Sequence, residues 1–432
     1  MRKSAPRQFA IIARRRKTAT EVLLLAGPDG WALPHQLNSG LHDVHADIAD
    51  RLGFSVATLD CVGQDPRFFV HEPVDERPPK EGRWFRAEEL PGIALPVPGQ
   101  RAALHHWLAE VVDDGAAGRP PWTRPGWYSS AVQWALEGLS AAGSRSTGRP
   151  EQPGMRAWSR QLRLPAAPRD LYFKASPPVY GHEAAVSLLL SERFPTAVPR
   201  VLAVDTRQNW MLTEDFGTVS HSSSPAEAVD AYARMVPELA RIQRGMADRA
   251  DALLSAGCPD HRLKVLPGLY DELVSGTEGL SAAERRRLGG FSETFRSHCA
   301  QLAAFGIPQT IVHLDIWRGN HTLTNAGPLI FDWAESVLGH PFVSLDVVLR
   351  DLRSLVPGDS GAARRVTNAY LAAWDGAADA GRLAEAVRLA SFPGIVSRAL
   401  LWRDALTWLG ANRARPYAAT VAAQLRELLP AA

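Results

Sequence analysis

The chain has 432 residues, 46% of them hydrophobic and 22% charged, so its length favours two or three globular domains and its composition excludes an intrinsically disordered protein. A net charge of +2, from 48 basic and 46 acidic residues, provides no overall field that would hold a nucleic acid or an anionic membrane. We therefore expect neither a nucleic acid nor a membrane among its partners.

Cysteine usage and the start of the chain bear on the compartment. Cys61, Cys258 and Cys299 are widely separated and odd in number, which fits neither a disulfide framework nor a cysteine-rich zinc site. The apolar run from Phe9 to Ala13 is too short for a signal peptide, and no apolar stretch approaches the roughly 18 residues that a membrane-spanning helix needs. We expect a cytoplasmic protein.

The first hundred residues alternate short elements in an α/β pattern. Strands are predicted at 8–14, in TEVLLLAG and around RFFVHE, with one helix inside 41–52 and another in AALHHWLAEVV. A segment rich in Gly and Pro follows and predicts a linker at 113–126, which ends a first domain over 1–112.

After the linker the pattern becomes first strand-rich and then helical. An amphipathic segment from Trp127 precedes two predicted strands, RAWSRQLRL and DLYFKA, then the predicted helix HEAAVSLLLSERF and two further strands that end in TEDFG. Beyond Gly217 the pattern is helical except for an island at 311–333. The sequence therefore predicts one lobe over 127–217 and a second, mostly helical lobe over 218–432.

The island carries residue types with catalytic chemistry. Apolar runs flank the turn-forming NAGP at 325–328, so HTLT and LIFDW are predicted to pair as an antiparallel hairpin centred near Ala326, with Asn320 opposite Asp332. An uncompensated carboxylate inside the apolar run LIFDW would be costly. Because Asn and Asp supply the hard oxygen ligands that Mg²⁺ prefers, these two residues are predicted to hold Mg²⁺ beside substrate phosphates.

The residues before the hairpin have a spacing found in kinases. His313, Asp315 and Asn320 follow the pattern H-x-D-x-x-x-x-N of the kinase catalytic loop, in which Asp accepts the proton of the acceptor hydroxyl and Asn binds metal. With FDW at 331–333, they resemble the catalytic loop of the aminoglycoside phosphotransferase and choline kinase family, H-G-D-x-x-x-x-N followed by I-D-W. Leu314 stands where that family usually has glycine.

The resemblance covers the chain from Trp127 to its end and implies roles for individual residues. Asp315 would be the catalytic base, and Asn320 and Asp332 would be the metal ligands. His313, within the motif, would support the structure of the catalytic loop. Asp346, in the following GHPFVSLD, would do the same.

A kinase also needs a cation on the nucleotide phosphates. Lys174 lies within the apolar strand LYFKA, where a role at phosphate is favoured over that of an ordinary surface lysine. Glu183 opens the next helix and is placed to pair with Lys174, as in kinase-like folds; the alternative is an ordinary acidic residue of a first helical turn. The resemblance also implies an adenine-binding hinge at Thr213, Glu214 and Asp215.

Residues 1–112 resemble a Nudix domain through the strand pair, WALP, ADIADRLGF at the box position, and RWFRAEELPGI. Nudix chemistry needs several glutamates on one helix, in the pattern R-E-x-x-E-E-x-G, to hold divalent metal. Here Asp47, Asp50 and Arg51 occupy that box and Asn38 stands near the first glutamate position, which should weaken metal binding. A catalytically silent scaffold is favoured. Three nearby histidines are expected to be solvated: His35, His42 and His45.

The predicted fold class is α+β, a bilobal protein-kinase-like fold preceded by a small α/β Nudix-like domain. The predicted function is transfer of the γ-phosphoryl of ATP, with Mg²⁺, to a hydroxyl of a small molecule of the antibiotic, sugar or amino alcohol class. A nucleotide-binding pseudokinase without turnover remains an alternative, favoured by Leu314 and by the absence of a glycine-rich loop. A Nudix-type pyrophosphohydrolase is the second alternative, and a homodimer stays open.

Overall fold

The computed structural model describes residues 8–36, 40–63, 66–112, 118–156, 158–217, 224–375 and 380–429. The chain divides into two compact units, unit 1 over Met1–Ala175 and unit 2 over Ser176–Ala432. Both contain helices and strands, in agreement with the predicted α+β class. The sequence predicts a finer division, into a first domain, a linker and two lobes. That division concerns functional segments rather than compact units, and it stays a prediction.

Unit 1 is built around a mixed sheet. Its first strands are β1 Gln8–Arg16, β2 Ala19–Gly27, β3 Gly30–Ala32, β4 His35–Gln36, β5 Val56–Val62, β6 Arg67–Pro73 and β7 Arg83–Arg86. The strand order is β3-β2-β1-β6-β5, with β4 added to β1 and β7 added to β2. Strands β1 and β6 run parallel, and their other pairings in the sheet are antiparallel. The strands predicted here are present, and β3, β4 and β5 are additions to them.

The helices of unit 1 are α1 Leu41–Leu52, α2 Gln100–Val112 and α3 Trp127–Ala141. Helix α1 buries Val44, Ile48 and Leu52, whose spacing of four residues forms one apolar stripe against the sheet. It ends at Gly53, which has φ 83° and donates its backbone N–H to Ala49 O, a conformation that glycine adopts without strain. The predicted helix inside 41–52 is confirmed.

The rest of unit 1 holds four strands, β8 Arg145–Ser146, β9 Arg160–Leu164, β10 Ala166–Ala167 and β11 Leu171–Ala175. Strand β11 pairs antiparallel with β9, with Lys174 opposite Gln161. Alternate residues of β11 are buried, and Phe173 among them packs against the rings of Trp127 and Trp134. Both strands predicted in this stretch are confirmed.

Unit 2 is mostly helical. Its helices are α4 Glu183–Arg193, α5 Pro225–Gly245, α6 Ala250–Ser255, α7 Leu266–Gly276, α8 Ala282–Gly290, α9 Ser292–Ala303, α10 Phe342–Leu355, α11 Ser360–Ala372, α12 Ala380–Ala414 and α13 Thr420–Arg426. Its strands are β12 Val201–Asp205, β13 Trp210–Glu214, β14 Thr310–His313, β15 His321–Thr324, β16 Gly327–Ile330 and β17 Ser336–Gly339. Helix α12 is interrupted at Gly410, where φ is 70°.

Helix α5 illustrates how the sequence builds this unit. Ser224 accepts a hydrogen bond from the backbone N–H of Glu227, and the Glu227 carboxylate accepts one from the N–H of Ser224, so two amides at the helix start are satisfied. The buried face, with Tyr232, Val236 and Leu239, joins the core of unit 2 and packs against α11. None of the helices in the described residues combines the length and the apolar run needed to cross a membrane.

Two short strand pairs interrupt the helices and carry the candidate site. Strand β14 pairs antiparallel with β17, with His313 opposite Ser336. Strand β15 pairs antiparallel with β16, with His321 opposite Ile330. The hairpin predicted within the island is confirmed, whereas β17, which lies beyond the predicted island, is an addition.

The predicted register of this hairpin is wrong by one residue. The chain reverses within the two residues Asn325–Ala326 rather than four, and Gly327, with φ 126°, is already the first residue of β16. Continuing this register places Asn320 opposite Phe331, whose N–H donates to Asn320 O at 3.1 Å. Asp332 therefore follows the pairing instead of facing Asn320.

Candidate active site

The catalytic loop, defined as residues 314–320 between β14 and β15, is anchored by His313. The backbone N–H of Asp315 donates to His313 Nδ1 at 3.2 Å, so this nitrogen is the acceptor and Nε2 carries the proton. Nε2–H donates to Phe331 O at 3.1 Å, and the ring packs against Trp333 with 4.7 Å between centroids. His313 thus ties the loop to the end of the hairpin.

Asn320 orients Asp315. Its side-chain nitrogen Nδ2 donates to Asp315 O at 2.7 Å and to Asp315 Oδ2 at 2.8 Å. Both partner atoms are acceptors, which fixes the orientation of the amide and turns Asn320 Oδ1 away from them. Asn320 is buried, and its neutral amide helps to hold the neighbouring carboxylate.

Asp332 has an unusual backbone. It lies directly after Phe331 and has φ 64° and ψ 60°, in the left-handed region that aspartate adopts at a cost. A short 3₁₀ turn, Trp333–Glu335, follows and leads into β17. This turn is joined to the catalytic loop, because Leu314 N–H donates to Glu335 O at 3.0 Å.

Leu314, which replaces the family glycine, is accommodated without backbone strain. Its side chain is 2% exposed and belongs to the core of unit 2. Its backbone is not among the described residues that have a positive φ, so this position does not require glycine. The leucine therefore adds to the core beneath the loop instead of crowding it.

Several carboxylates affect the pKa of one buried phenol, that of Tyr180. Burial raises the pKa of Tyr180 well above its usual value, and four carboxylates raise it further, in the order Glu335, Asp315, Asp332 and Asp404. Since Coulomb interactions weaken with distance, Asp315 and Asp332 act on the same small region. Neither Glu335 nor Asp404 was predicted as a site residue. Glu335, the last residue of DWAE, could have been found from its place beside Asp332, whereas Asp404, on α12, has no such motif beside it.

Oxygen ligands for a metal are present but few. Asn320 Oδ1 and the Asp332 carboxylate are hard oxygen donors. Both residues belong to the open end of the hairpin, where Asn320 precedes β15 and Asp332 follows Phe331. Within the described part of the chain, no three His, Cys, Asp or Glu side chains are grouped so as to hold a metal ion. The donor set fits Mg²⁺ in a kinase-type site, which takes one or two protein ligands and completes its shell with water and phosphate oxygens.

A buried amide supports strand β14 from behind. Gln243 Nε2 donates to Ile311 O at 3.3 Å, to Pro341 O at 3.1 Å and to Ser344 Oγ at 3.1 Å. Ser344 Oγ also accepts from the backbone N–H of His313 at 2.9 Å. The start of the catalytic loop is therefore fixed by α5 and α10 together.

The predicted support by Asp346 takes a different form in the structure. Asp346 lies on α10, but its carboxylate is 3.2 Å from Arg398 and 4.0 Å from Arg353, rather than on the catalytic loop. Burial raises the pKa of Asp346, and Arg398 opposes that shift. The helix does support the loop, through Ser344, while Asp346 joins α10 to α12.

Comparison with known proteins identifies the family. A model of the phosphotransferase enzyme family matches residues 168–385, just over half of the chain. The chain belongs to this phosphotransferase enzyme family. The match contains the whole candidate site, from Lys174 to Asp346. A search of curated proteins gave no match.

Solved structures of kinases are among those similar to this phosphotransferase. The GDP complex of aminoglycoside 2'-phosphotransferase-IIIa is 15% identical, with a TM-score of 0.47 and coverage of 69% of this chain and 97% of that one. A choline/ethanolamine kinase family protein from Mesorhizobium loti is 17% identical, with a TM-score of 0.46 and coverage of 70% and 95%. Macrolide 2'-phosphotransferase type I is 16% identical, with a TM-score of 0.46 and coverage of 69% and 97%. The assignment rests on the family match.

The residues predicted to bind the nucleotide lie in both units. Lys174 is a half-buried residue of β11 in unit 1. In unit 2, Glu183 is 2% exposed at the first position of α4, and Ser176 Oγ donates to its Oε2. The pairing of Lys174 with Glu183 stays a prediction.

The predicted hinge lies at the end of the last strand before the helical region. Thr213 and Glu214 end β13, where Glu214 N–H donates to Arg200 O at 3.0 Å. The Glu214 carboxylate accepts from Arg200 at 2.7 Å, so it is directed at a cation. Asp215 follows the strand and accepts the N–H of Gly217 at 2.9 Å.

The box region of unit 1 has no converging carboxylates. Asp47 lies 3.5 Å from Arg51 one helical turn on, and Arg51 also donates to His35 O at 2.7 Å. Asp50 is exposed at its helix surface, and its backbone O accepts from Lys80. The predicted contribution of Asn38 lies outside the described residues.

A hydrogen-bond chain includes His45, one of the three histidines that were predicted to be solvated near this box. His45 Nε2 is 2.8 Å from Thr58 Oγ1, which is 3.0 Å from His71 Nδ1, and His71 Nε2 is 3.1 Å from Gln36 Oε1. Burial lowers the pKa of His45 to about 4 and that of His71 to about 3. The prediction of a solvated His45 is therefore wrong, because β5 and β6 cover its ring; His35 and His42 are exposed as predicted.

Proposed function

We propose that this phosphotransferase moves the γ-phosphoryl group of ATP to a hydroxyl of a small molecule, with Asp315 as catalytic base and Mg²⁺ held by Asn320 and Asp332. The observation that carries the proposal is the pair of hydrogen bonds from Asn320 Nδ2 to Asp315. One bond reaches the Asp315 carboxylate and the other its backbone carbonyl, so together they fix the residue in the position from which it would accept a proton.

Each residue has a distinct task in this mechanism. Asp315 accepts the proton of the acceptor hydroxyl as that oxygen attacks the γ-phosphorus, and Asn320 keeps its carboxylate oriented during the transfer. His313 holds the loop against the hairpin. Bound Mg²⁺ would neutralise phosphate charge, and Asn320 Oδ1 and the Asp332 carboxylate are the oxygens suited to hold it.

The nucleotide would be held by residues of the segment 127–217. Lys174 supplies a compact cation for the phosphates, and Glu183 keeps that cation oriented. Thr213, Glu214 and Asp215 form the hinge whose backbone groups bind adenine. The segment 127–217 thus carries the nucleotide, and the segment 218–432 carries the chemistry and the acceptor.

The acceptor is a small molecule with a free hydroxyl. The similar solved structures are named for aminoglycoside, macrolide and choline or ethanolamine phosphorylation, so antibiotics and amino alcohols join sugars in the panel of acceptors. Residues 1–112 would be a catalytically silent, Nudix-like scaffold that contributes folding, dimerisation or acceptor-site shape. In that region Asp47 lies 3.5 Å from Arg51.

The test has a binding step and a turnover step on the full-length protein. ATP with Mg²⁺ should raise the melting temperature above that with Mg²⁺ alone, and an ATP-consumption screen of antibiotics, sugars and amino alcohols should give an acceptor. Asp315→Asn should bind ATP but lose turnover. If ATP with Mg²⁺ stabilises the protein no more than Mg²⁺ alone, the nucleotide site is refuted; if ATP binds but no hydroxyl compound is phosphorylated, the pseudokinase alternative is favoured.

A further inference from the structure

The catalytic loop exposes one indole. Trp317, two residues after Asp315, is 38% exposed. Among the described residues it is the large hydrophobic side chain that is classed as exposed. Its apolar neighbours Leu314 and Ile316 are buried. A single exposed apolar side chain is ordinary by itself; the position of this one and the way it is held distinguish it.

The backbone of Trp317 is fixed between the predicted base and the predicted metal ligand. Its N–H donates to Asp315 O at 3.1 Å, and its carbonyl accepts from the N–H of Asn320 at 2.9 Å. The same carbonyl accepts from His321 Nδ1 at 3.1 Å. Three hydrogen bonds therefore set where the indole leaves the loop.

A second set of contacts holds the surrounding loop. The ring of His321 packs against Tyr232 with 5.1 Å between centroids, and the Tyr232 hydroxyl donates to Asp351 Oδ2 at 2.6 Å. The Tyr232 hydroxyl also makes a hydrogen bond with the backbone of Arg318. The residue after Trp317 is thus tied to α5 and α10, which restricts motion of the loop.

Gly319 gives the indole its resting place. A Cβ on Gly319 would lie 2.3 Å from the indole Cζ2 and 2.6 Å from Cη2, closer than carbon atoms approach one another. The indole therefore lies against the glycine backbone. An aromatic ring that is both held and exposed binds a flat partner at a small cost in side-chain entropy.

We propose that Trp317 is the platform on which the acceptor stacks, so that this phosphotransferase selects hydroxyl acceptors that present a flat ring face. The proposal rests on the function proposed above. Trp317 lies two residues after Asp315 in the same loop, so an acceptor whose hydroxyl reaches Asp315 would bring the ring that carries it near the indole. Sugar rings and aromatic rings share this chemistry, because each offers an apolar face for stacking.

The first test reads the indole directly. Full-length protein containing 5-fluorotryptophan, saturated with a non-hydrolysable ATP analogue and Mg²⁺, is titrated with D-glucosamine, adenosine or ring-free choline, and the Trp317→Phe variant identifies the Trp317 fluorine resonance. A ring-bearing probe should shift that resonance more than choline does. If millimolar amounts of both ring-bearing probes leave it unmoved, or if choline shifts it most, the platform is refuted.

The second test measures selection during turnover. With an acceptor from the ATP-consumption screen, Trp317→Ala should raise the acceptor KM by roughly three- to tenfold, the range expected for one aromatic contact, and Trp317→Phe should restore part of it. Gly319→Ala, which displaces the indole but keeps it, should raise the same KM. ATP affinity is measured in all three, so that a rise in acceptor KM without a matching loss of ATP binding reports on the acceptor side of the site. Phe305→Ala, which removes a half-buried ring that contacts Arg382 instead, is the control.

The outcomes separate the two proposals. If ATP with Mg²⁺ does not bind, the proposed function fails, whatever the indole does. If ATP binds and an acceptor is phosphorylated with the same KM in Trp317→Ala and in the wild type, the platform alone is refuted.

Discussion

Two acidic regions of this phosphotransferase differ in what holds their carboxylates. On α1, Asp47 pairs with Arg51 at 3.5 Å and Asp50 is exposed. In the catalytic loop, Asp315 is held by the neutral amide of Asn320. Arg51 brings a positive charge within 3.5 Å of Asp47, whereas the amide of Asn320 brings a directional hydrogen bond and no charge to Asp315. The partner of an acidic side chain therefore bears on the role proposed for it, beside the number of acidic residues.

The largest effect is expected at Asp315. Asp315→Asn keeps the size of the side chain but removes the proton acceptor, so turnover should fall by about 10² or more, as is typical when a general base is lost. ATP affinity, measured by calorimetry, should stay close to that of the wild type. Asp205→Asn, a change at the end of β12, is the control. Wild-type turnover in Asp315→Asn would remove this residue from the role of base and weaken the contrast with α1.

A smaller effect is expected from Lys174 and Glu183, which we predict to act as one unit. Lys174→Ala removes the cation and Glu183→Ala releases it, so each change should weaken ATP binding. The double variant should bind ATP only slightly less tightly than the single variant with the larger loss. ATP affinity and turnover are measured for all four proteins. Fully additive losses, or losses within experimental error of zero, would show that the two side chains are not coupled.

Acid should destabilise unit 1 through its buried histidines. Burial lowers the pKa of His71 to about 3 and that of His45 to about 4 in the folded protein, below the usual value near 6.5. Between the folded and the unfolded pKa, the unfolded chain therefore binds more protons than the folded one. The contribution of the neutral histidines to the free energy of unfolding is full above about pH 6.5 and is lost as the pH falls towards 4. For His71 the loss at pH 5 is on the order of 2 kcal/mol.

The variant His71→Gln isolates this contribution. Burial raises the pKa of Glu72, which acts in the opposite sense, so the comparison of variant with wild type is more informative than either curve alone. Urea unfolding between pH 7 and 5 should show a smaller loss of stability in the variant, by about one proton in slope. Parallel curves for the two proteins would refute the buried, neutral His71.

The smallest effect is expected on α1. Replacing Asp47 and Asp50 together by alanine should leave phosphotransfer unchanged and alter the free energy of unfolding by no more than about 0.5 kcal/mol for each, as at exposed positions. A panel of nucleoside diphosphate derivatives should not be hydrolysed by the full-length wild-type protein. Hydrolysis that disappears in the double variant would show that the shorter carboxylates suffice for Nudix chemistry.

The sequence by itself determined the local structure of several elements and marked the loop of the candidate site. The four-residue period of Val44, Ile48 and Leu52 sets α1, and alternation sets β11, because both depend on spacing within one element. Asp315 and Asn320 are five positions apart in one loop, so the sequence alone keeps them near each other, and the structure adds the hydrogen bond that joins them.

The tertiary structure decided which distant groups meet. Asp346 pairs with Arg398 rather than with the loop, because α12 packs on α10. His45 is covered because β5 and β6 lie over it, and Asp404 acts on Tyr180 from far along the chain. These contacts follow from the packing of whole elements, and local periodicity carries no information about which elements become neighbours.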